Sequence, residues 1–367
     1  MAYGIVLLAD GSRADDLMDA LSVSVIEQVG TATRYTLSYT VENDAGDLGP
    51  LTDPRLNPDS DLAIFQRSTE HDFDDCLVKG PIYAHHIQLL SGTEGSILQV
   101  MGADSSLLMG RETKIHQWSD NTSDADAVST IVSSYGFTPD VDSTDTSHLE
   151  DNHTLIQHDS DLDFVRTLAR RNGYLFWLSC DADLTESAHF KPPPLDNPAL
   201  PPVLTLTGDS PTMKRLTIQW DVERPTSVLA YSYDHRSKTV MDGTAVTPPD
   251  TLPDDTPFAE IAPGTRSTSI VVAASATSEL LARARGTLTD SSWFLEATCT
   301  VSARTLGQVI HAHSIVELQG IGSRYSGRYF VRRVHHQIDE ADHLMLLSLV
   351  RNGWSSASPG GLLDSIF

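Results

Sequence analysis

Residues 157–177 read QHDSDLDFVRTLARRNGYLFW and decide how the middle of the chain folds. Ser160 precedes an apolar stripe of helical spacing, and Asp163 follows three positions later, as in a capping box with Asp in place of Glu. Two arginines lie where the negative end of the helix dipole would be, and Gly173 can adopt the left-handed conformation that ends a helix. The segment therefore predicts a helix between Ser160 and Gly173, followed by a buried strand over 174–180.

The same segment raises the question of acid–base chemistry, because Asp161 and Asp163 lie close to His158. Residues two apart on a helix point about 200° away from each other, so these carboxylates cannot face one substrate. A role at the helix end explains both acids, and such a cap is worth about 1 kcal/mol. We interpret the segment as structural. The residues of this structural motif are Ser160, Asp161, Asp163, Phe164, Leu168, Gly173 and Tyr174.

Two other segments show helical periodicity. Residues 121–137 offer Thr122 or Ser123 as the N-cap, carry acids in the first predicted turn and stop at Gly136. Residues 276–292 place leucine and alanine on one helical face. We therefore expect one helix shortly before the opening segment and another in the C-terminal half.

Most of the remaining sequence alternates apolar and polar residues, which is typical of antiparallel strands with one buried face. Residues 22–29 and 33–42 predict one hairpin, and residues 79–90 and 96–104 predict another. Between the hairpins, residues 42–75 are rich in acids and predict an exposed loop broken by a short strand. Alternating segments return at the end of the chain.

This order predicts a mainly β protein with an α+β insert, in which two small antiparallel β-barrel domains flank an α/β middle domain. Changes of pattern and two proline-rich loops set the predicted boundaries. The domains are a first barrel at 1–112, a middle domain at 113–202, a second barrel at 203–354 with a loop and helix insertion at about 241–292, and a flexible tail at 355–367.

Composition narrows the class of protein. The 367 residues suffice for two or three domains with cores of their own, and the formal net charge of −25 disfavours binding to nucleic acid phosphates. No apolar run reaches the length of a membrane span, and the N-terminus lacks the basic region of a signal peptide. Because Cys76, Cys180 and Cys299 are far apart and lack CxxC spacing, we expect isolated buried thiols in a reducing compartment.

Histidines provide the best candidates for a metal site. His311 and His313 would share one face of a strand, but no third ligand lies nearby in the sequence. The chain has no GxSxG, HExxH, P-loop or dinucleotide-binding fingerprint. We therefore expect no catalytic residues, no metal and no cofactor.

Three segments carry a family resemblance. They are LVKGPIYAHHIQLL…ILQVMGADSSLLMGR, AVSTIVSSYGF…DSDLDFVRTLARRNGYLFW and SIVELQGIGSRYSGRYFVRRVHHQID…LMLLSLVRN. In this order they resemble the family of phage late control protein D and the hub part of VgrG, over residues 1–354. The family's closing pattern falls on Gly327, Tyr329, Val331, Val334, His336, Arg351 and Asn352.

The resemblance implies a homotrimeric, non-enzymatic hub in the baseplate of a contractile phage tail or injection system. Two barrels per subunit would form a pseudo-sixfold ring that joins the sixfold inner tube to the threefold central spike. It also implies contacts with the wedge proteins of the baseplate. The hub would assemble in the host cytoplasm, reside in the virion or injection particle and insert into no membrane. From the net charge of −25 alone, we expect an acidic inner wall that would let DNA or effectors pass without binding them.

The sequence departs from full-length VgrG, which continues into an OB-like domain and a β-helical spike. Here only the tail at 355–367 follows, so we expect the spike, and any lysozyme-like domain, to be separate proteins. The apolar candidates for spike contact are Leu362, Leu363, Ile366 and Phe367.

Two other functions remain open from the sequence. A cell-wall glycan hydrolase would use acid pairs such as Asp72/Asp74 or Asp161/Asp163. A β-rich carbohydrate-binding module would need several exposed aromatic residues, yet only 7% of the chain is aromatic and most of these residues fall on patterns that predict burial. Tests for cell-wall degradation and for a trimer that binds a tube protein separate the three functions.

Overall fold

The structure is a computed structural model, and strands dominate it, as the sequence predicts. The residues that it describes are 4–41, 49–66, 75–91, 95–145, 147–148, 154–196, 200–234, 237–245, 250–252, 255–261, 264–272, 274 and 276–355. No helix within these ranges is long and apolar enough to cross a membrane. Three units follow one another along the chain, called here the first β-unit, the middle unit and the second β-unit.

The first β-unit is antiparallel, and its apolar side chains alternate into one core. Both predicted hairpins form in it. Short 3₁₀ turns lie at Asp15–Asp19, Gly49–Thr52 and Pro54–Leu56. Its strands are β1 (Ile5–Ala9), β2 (Ser12–Arg13), β3 (Ser22–Gln28), β4 (Arg34–Val41), β5 (Asp61–Gln66), β6 (Asp75–Gln88) and β7 (Ser96–Ala103).

The middle unit contains two of the three predicted helices. Ser123 caps the earlier helix, and Gly136 and Gly173 adopt φ values of 81° and 70° after the two helix ends. The earlier helix is shorter than predicted and ends two residues before Gly136. The elements are α1 (Ser106–Met109), β8 (His116–Gln117), β9 (Thr122–Ser123), α2 (Asp124–Ser134), β10 (Thr138–Val141), β11 (Ser147–His148), β12 (Ile156–Gln157), α3 (Asp161–Asn172), β13 (Leu175–Cys180) and β14 (Glu186–Lys191).

The second β-unit returns to antiparallel strands and contains the predicted long helix. Its elements are β15 (Val203–Thr205), β16 (Met213–Trp220), β17 (Ser227–Asp234), β18 (Thr239–Asp242), β19 (Asp255–Pro257), α4 (Phe258–Ile261), β20 (Ser267–Val271), α5 (Thr277–Ser292), β21 (Leu295–Ser302), α6 (Ala303–Leu306), β22 (Ile315–Gln319), β23 (Gly327–Ile338), β24 (His343–Arg351) and β25 (Gly353–Ser355). Strands β17, β18 and β20 pack against α5 around a small core of their own.

The two β-units are joined through one continuous sheet. In the described residues its order is β16-β21-β24-β23-β3-β4-β7-β6-β5-β1-β2, with β22 also pairing β23. The joint is the antiparallel pair of β3 and β23, in which Val25 lies opposite His336. The middle unit keeps a separate three-stranded sheet, β10-β14-β13, covered by α2 and α3. Two β-units therefore lie side by side, with the middle unit packed against their joint.

Candidate functional site

A cleft of about 340 Å³ opens where the three units meet. Strand β6 of the first β-unit, strand β13 of the middle unit and residues 311–313 of the second β-unit line it. Its wall carries both acids and histidines. We take this three-way junction as the candidate functional site, because the relative placement of the units depends on its contacts.

A disulfide crosses one side of the cleft. Cys76 of β6 and Cys180 of β13 are bonded, with their Cα atoms 5.7 Å apart and a sequence separation of 104. The prediction of isolated thiols is therefore wrong for these two residues, because the fold brings together strands that the sequence separates. Cys299 is the buried free thiol that we expected, and burial raises its pKa to about 12.

An ion pair reinforces the disulfide. Lys79 on β6 donates to Glu186 on β14 over 2.9 Å, and its Nζ also donates to the Leu184 carbonyl over 3.3 Å. The ammonium and the carboxylate are both mostly buried, so they are less screened than a surface pair. The disulfide and this pair tie the middle unit to the first β-unit.

At the same cleft, a buried polar network connects the two β-units. Glu27 on β3 hydrogen-bonds His311 and His336, each over 2.9 Å, and accepts from the Ala312 backbone over 2.9 Å. His336 in turn bonds His343 over 2.9 Å. The Glu27 carboxylate therefore makes these three hydrogen bonds with residues of the second β-unit.

The charges in this network shift the pKa values of its residues. Burial alone would raise the pKa of Glu27, but the charges and hydrogen bonds of His311 and His336 hold it well below its usual range. Burial opposes the charged form of His311, yet the Glu27 carboxylate raises the pKa of His311 to about 9. Burial lowers the pKa of His343 to about 3. The network therefore holds an ionised Glu27–His311 pair beside a neutral His343 at neutral pH.

The prediction that His311 and His313 share a strand face is wrong. Both lie in a turn before β22, and His313 has a φ of 65°. His311 bonds Glu27, whereas the ring of His313 stacks on Trp177 with centroids 4.4 Å apart. The described residues contain no group of three or more side chains arranged to hold a metal ion.

The closing motif forms a second buried site in the second β-unit. Arg351 pairs with Asp255, with Nε donating to Oδ2 over 2.5 Å, and its guanidinium lies 5.3 Å from the centre of the Tyr329 ring. Gly327 has a φ of 132°, which side chains rarely adopt, and a Cβ there would lie 2.8 Å from the Arg351 guanidinium and displace it. Asn352 donates to the Asp250 carbonyl over 2.8 Å.

The motif residues therefore belong to two different sites. Gly327, Tyr329, Arg351 and Asn352 lie around the buried ion pair, whereas His336 belongs to the Glu27 network and Val331 to the apolar core. Burial disfavours charge on Arg351, but the hydrogen bonds and charge of Asp255 keep its pKa above the ordinary value.

The opening motif is structural in its observed contacts. Ser160 caps α3 by accepting from the Asp163 amide over 3.2 Å, and its hydroxyl donates to the Asp163 carboxylate. Asp161 is buried and instead accepts from Lys114 over 2.5 Å and from Gln157 and Tyr135 over 2.7 Å. The two carboxylates thus bind different groups.

The rest of that motif supports the core of the middle unit. Phe164 and Leu168 are buried in it, and the Tyr174 hydroxyl donates to the Ser143 carbonyl over 2.8 Å. Two sets of sequence candidates lie outside the described residues. These are the acid pair Asp72/Asp74 and the tail residues Leu362, Leu363, Ile366 and Phe367.

Sequence reasoning missed the strongest polar contact of the middle unit. Asp124, at the start of α2, accepts from Arg171 and Asn172 over 2.7 Å at the end of α3 and bonds His148 over 2.9 Å. Burial alone would raise the pKa of Asp124, but these partners lower it to about 2. The only sequence signals for this pairing are the Asp in the first turn of α2 and the Arg in the last turn of α3.

Comparison of the sequence with known families and curated proteins gives one match. A family model described as the Alg8 N-terminal domain matches residues 68–340. No curated protein matches the sequence. The family description names a domain and states no activity.

Comparison of the fold gives matches over nearly the whole chain. The 43 kDa tail protein of prophage MuSo2 from Shewanella oneidensis is 12% identical, with a TM-score of 0.64 over 95% of this chain and 98% of that chain. The tail protein of Neisseria meningitidis MC58 is 14% identical, with a TM-score of 0.65 over 96% and 97%.

A third fold match is the E. coli c3393 protein, described as a type VI secretion system component with structural similarity to T4 bacteriophage tail proteins gp27 and gp5. It is 15% identical, with a TM-score of 0.60 over 96% of this chain and 79% of that chain. At these identities the likeness establishes the fold. The expected likeness to tail and secretion-system proteins is confirmed for the fold alone.

Proposed function

The chain belongs to the Alg8 N-terminal domain family, and we propose that it is a structural hub in the baseplate of a contractile phage tail or a phage-like injection system. The observation that carries the proposal is the fold match over at least 95% of this chain to phage tail proteins and to a type VI secretion component alike. A match of this extent includes all three units and their arrangement. The proposed role is therefore assembly rather than catalysis.

The hub would act as a homotrimer that joins the sixfold inner tube to the threefold spike. Each subunit places two β-units side by side in one sheet, so three subunits in a ring would present six β-units. Strand β16 forms one end of that sheet among the described residues, and Trp220 on it is 51% exposed. An edge strand with an exposed large apolar residue is suited to pairing with a neighbouring subunit.

The remaining partners follow from the same role. The hub would bind the tube protein on one face, the spike on the other and the wedge proteins at its rim, after assembly in the host cytoplasm. With a net charge of −25 per subunit, an acidic inner wall would repel DNA or acidic effectors and let them pass. Residues Leu362, Leu363, Ile366 and Phe367 are proposed to contact the spike.

Co-expression of the full chain with the tube and spike proteins of the same genome tests the proposal. We expect a complex that contains three copies of the chain and both partners, and no release of sugars from purified cell walls. The variant Trp220→Glu should abolish the trimer, because it places a charge at the proposed subunit contact. Tyr233→Glu, which changes an equally exposed aromatic on β17, should leave the trimer intact. Failure to bind either partner would overturn the proposal, and cell-wall hydrolysis would favour the hydrolase.

A further inference from the structure

Three polar side chains are aligned across the small sheet of the middle unit. The Ser179 hydroxyl on β13 lies 2.7 Å from Nε2 of His189 on β14. The other ring nitrogen, Nδ1, lies 2.6 Å from the carboxylate of Asp140 on β10. These strands are neighbours in the order β10-β14-β13, so the sheet itself sets the spacing. The arrangement is that of a hydroxyl nucleophile, a base and a carboxylate that orients the base.

The partners fix the roles of the two ring nitrogens. An ionised carboxylate only accepts hydrogen bonds, so Nδ1 of His189 must donate to Asp140. In the neutral ring, Nε2 then carries the lone pair and accepts from the Ser179 hydroxyl. Burial lowers the pKa of His189, while Asp140 opposes this effect and Lys191 adds to it. The ring is therefore neutral near pH 7 and able to take a proton.

The surroundings hold the base in place and leave the nucleophile open. His189 stacks on Trp177 with centroids 4.6 Å apart, and Trp177 stacks in turn on His313. Asp140 also pairs with Lys191 over 2.5 Å, which fixes the carboxylate. Ser179 is exposed, whereas the His189 side chain retains only 18% exposure.

The nucleophile faces a space that can hold a ligand. Ser179, Trp177 and His313 all line the 340 Å³ cleft between the units. The Nε2 atom of His313 is buried and has no hydrogen-bond partner among the described residues. Because a buried polar atom without a partner is costly, this atom is a ready partner for a polar ligand in the cleft.

We propose that Ser179 and His189 are catalytic residues and Asp140 a positioning residue for the hydrolysis of small carboxylic esters bound in this cleft. The Ser179 oxygen bonds to the ester carbonyl carbon while His189 takes the hydroxyl proton. The ester C–O bond then breaks, and His189 returns the proton to the leaving alcohol. Water, deprotonated by His189, releases the acyl group as a carboxylic acid and restores Ser179. The activity is independent of the proposed hub role.

Two probes test the proposal on the full chain. A fluorophosphonate, which labels activated serines, should modify Ser179 in the native protein, and peptide mass spectrometry locates the label. Hydrolysis of p-nitrophenyl acetate should fall by about 10²-fold in Ser179→Ala, the size expected when a nucleophile and its base are uncoupled. Ser133→Ala, which removes an exposed hydroxyl from α2 of the same unit, should retain both labelling and rate. Hydrolysis that persists in Ser179→Ala, or a label placed elsewhere, would overturn the proposal.

A pH profile tests the positioning role of Asp140. The native rate should rise with pH as His189 loses its proton, in a field set by Asp140, Lys191 and His313. Asp140→Asn should lower the rate by about 10²-fold and shift this rise, since the amide no longer selects one tautomer. Asp140→Glu should recover part of the rate. An unchanged rate and profile in Asp140→Asn would remove Asp140 from the proposal.

Discussion

The two junctions of the molecule are built in opposite ways. Between the β-units, the backbone ladder of β3 and β23 runs without a break, and buried Glu27 bonds residues of the second β-unit. Between the middle unit and its neighbours, the contacts are separate. They include the Cys76–Cys180 disulfide, the Lys79–Glu186 pair, the stack of Trp177 on His313 and the close approach of Gly173 to Gly286.

This difference indicates which motions the fold permits. A shared sheet cannot separate without losing its hydrogen bonds and leaving buried polar groups without partners, so the β-units should behave as one body. The middle unit is held by individual cross-links that can be removed one at a time. Substitutions at single contacts of each junction test this difference. They are given below in order of decreasing expected effect.

Removal of the disulfide should have the largest effect. In the chain-entropy model, a disulfide that closes a loop of this size, with a sequence separation of 104, contributes up to about 5 kcal/mol. The variant Cys76→Ser/Cys180→Ser should therefore lower the free energy of unfolding of the middle unit by about this amount in urea titrations. A reductant should destabilise the native chain and leave the double variant unchanged. Free thiols at both positions in the native chain, found by alkylation, would contradict the account.

Loss of Glu27 should come next. Glu27→Ala leaves buried His336 and half-buried His311 without their acceptor, and breaking the buried Glu27–His336 contact costs about 3 kcal/mol. The whole two-unit sheet should melt together at a lower temperature in calorimetry. Glu317→Ala, a half-buried acid on β22, is the matched control and should change stability by less than about 1 kcal/mol. Equal effects of the two variants would mean that the network does not hold the joint.

Substitution of Gly286 should have a smaller, local effect. A Cβ there would lie 2.8 Å from the Gly173 nitrogen and 2.9 Å from the Arg170 carbonyl oxygen, which are backbone atoms that cannot move aside easily. Gly286→Val should therefore loosen the contact of α5 with α3 by about 2 kcal/mol. Faster amide hydrogen exchange in α3 and α5, and not in the rest of the protein, would show this loosening. Arg285→Ala, at the exposed neighbouring position, should leave exchange unchanged.

The stability of the protein should depend on pH through the titratable residues at the joint between the β-units. His311, whose pKa is raised to about 9, stabilises the fold fully below pH 6.5 and loses this contribution as pH rises through 9. The pKa of His343 is lowered to about 3, so its effect has the opposite sign. Below pH 6.5 this histidine takes up a proton in the unfolded chain but stays neutral in the folded protein, which lowers stability as pH falls. Glu27 adds a further loss below pH 4.5.

From these signs, stability should be greatest near pH 6.5 and decline on either side. The alkaline decline should be the shallower one, because solvent screens the partly exposed His311. Melting temperatures across a pH series measure this dependence. Glu27→Gln should weaken the alkaline decline, since His311 no longer faces a carboxylate. A native profile that stays flat from pH 5 to pH 9 would contradict the assignment of charges in the network.

The sequence predicted the features that depend on neighbouring residues. The capping of α3 by Ser160, the left-handed glycine at Gly173 and the hairpins of the first β-unit all follow from local spacing. These rules work because caps, turns and alternation act over a few residues.

The contacts at the site could not be predicted in this way. Cys76 and Cys180 are 104 residues apart, and the Arg351–Asp255 pair and the Glu27 network also depend on distant segments meeting. The His311 error has the same origin, since an alternating pattern suggested a strand where the chain turns to bring His311 to Glu27. The pattern of neighbouring residues does not show which distant segments come into contact.

The mass of the purified chain in solution, measured by light scattering over a range of salt, tests the proposed hub most directly. We expect a trimer of about 120 kDa, three times the 40.0 kDa of one chain. The trimer should be favoured by added salt, which screens repulsion between subunits that each carry a charge of −25. A mass of 40.0 kDa at every salt concentration, and still in the presence of the spike protein, would contradict it.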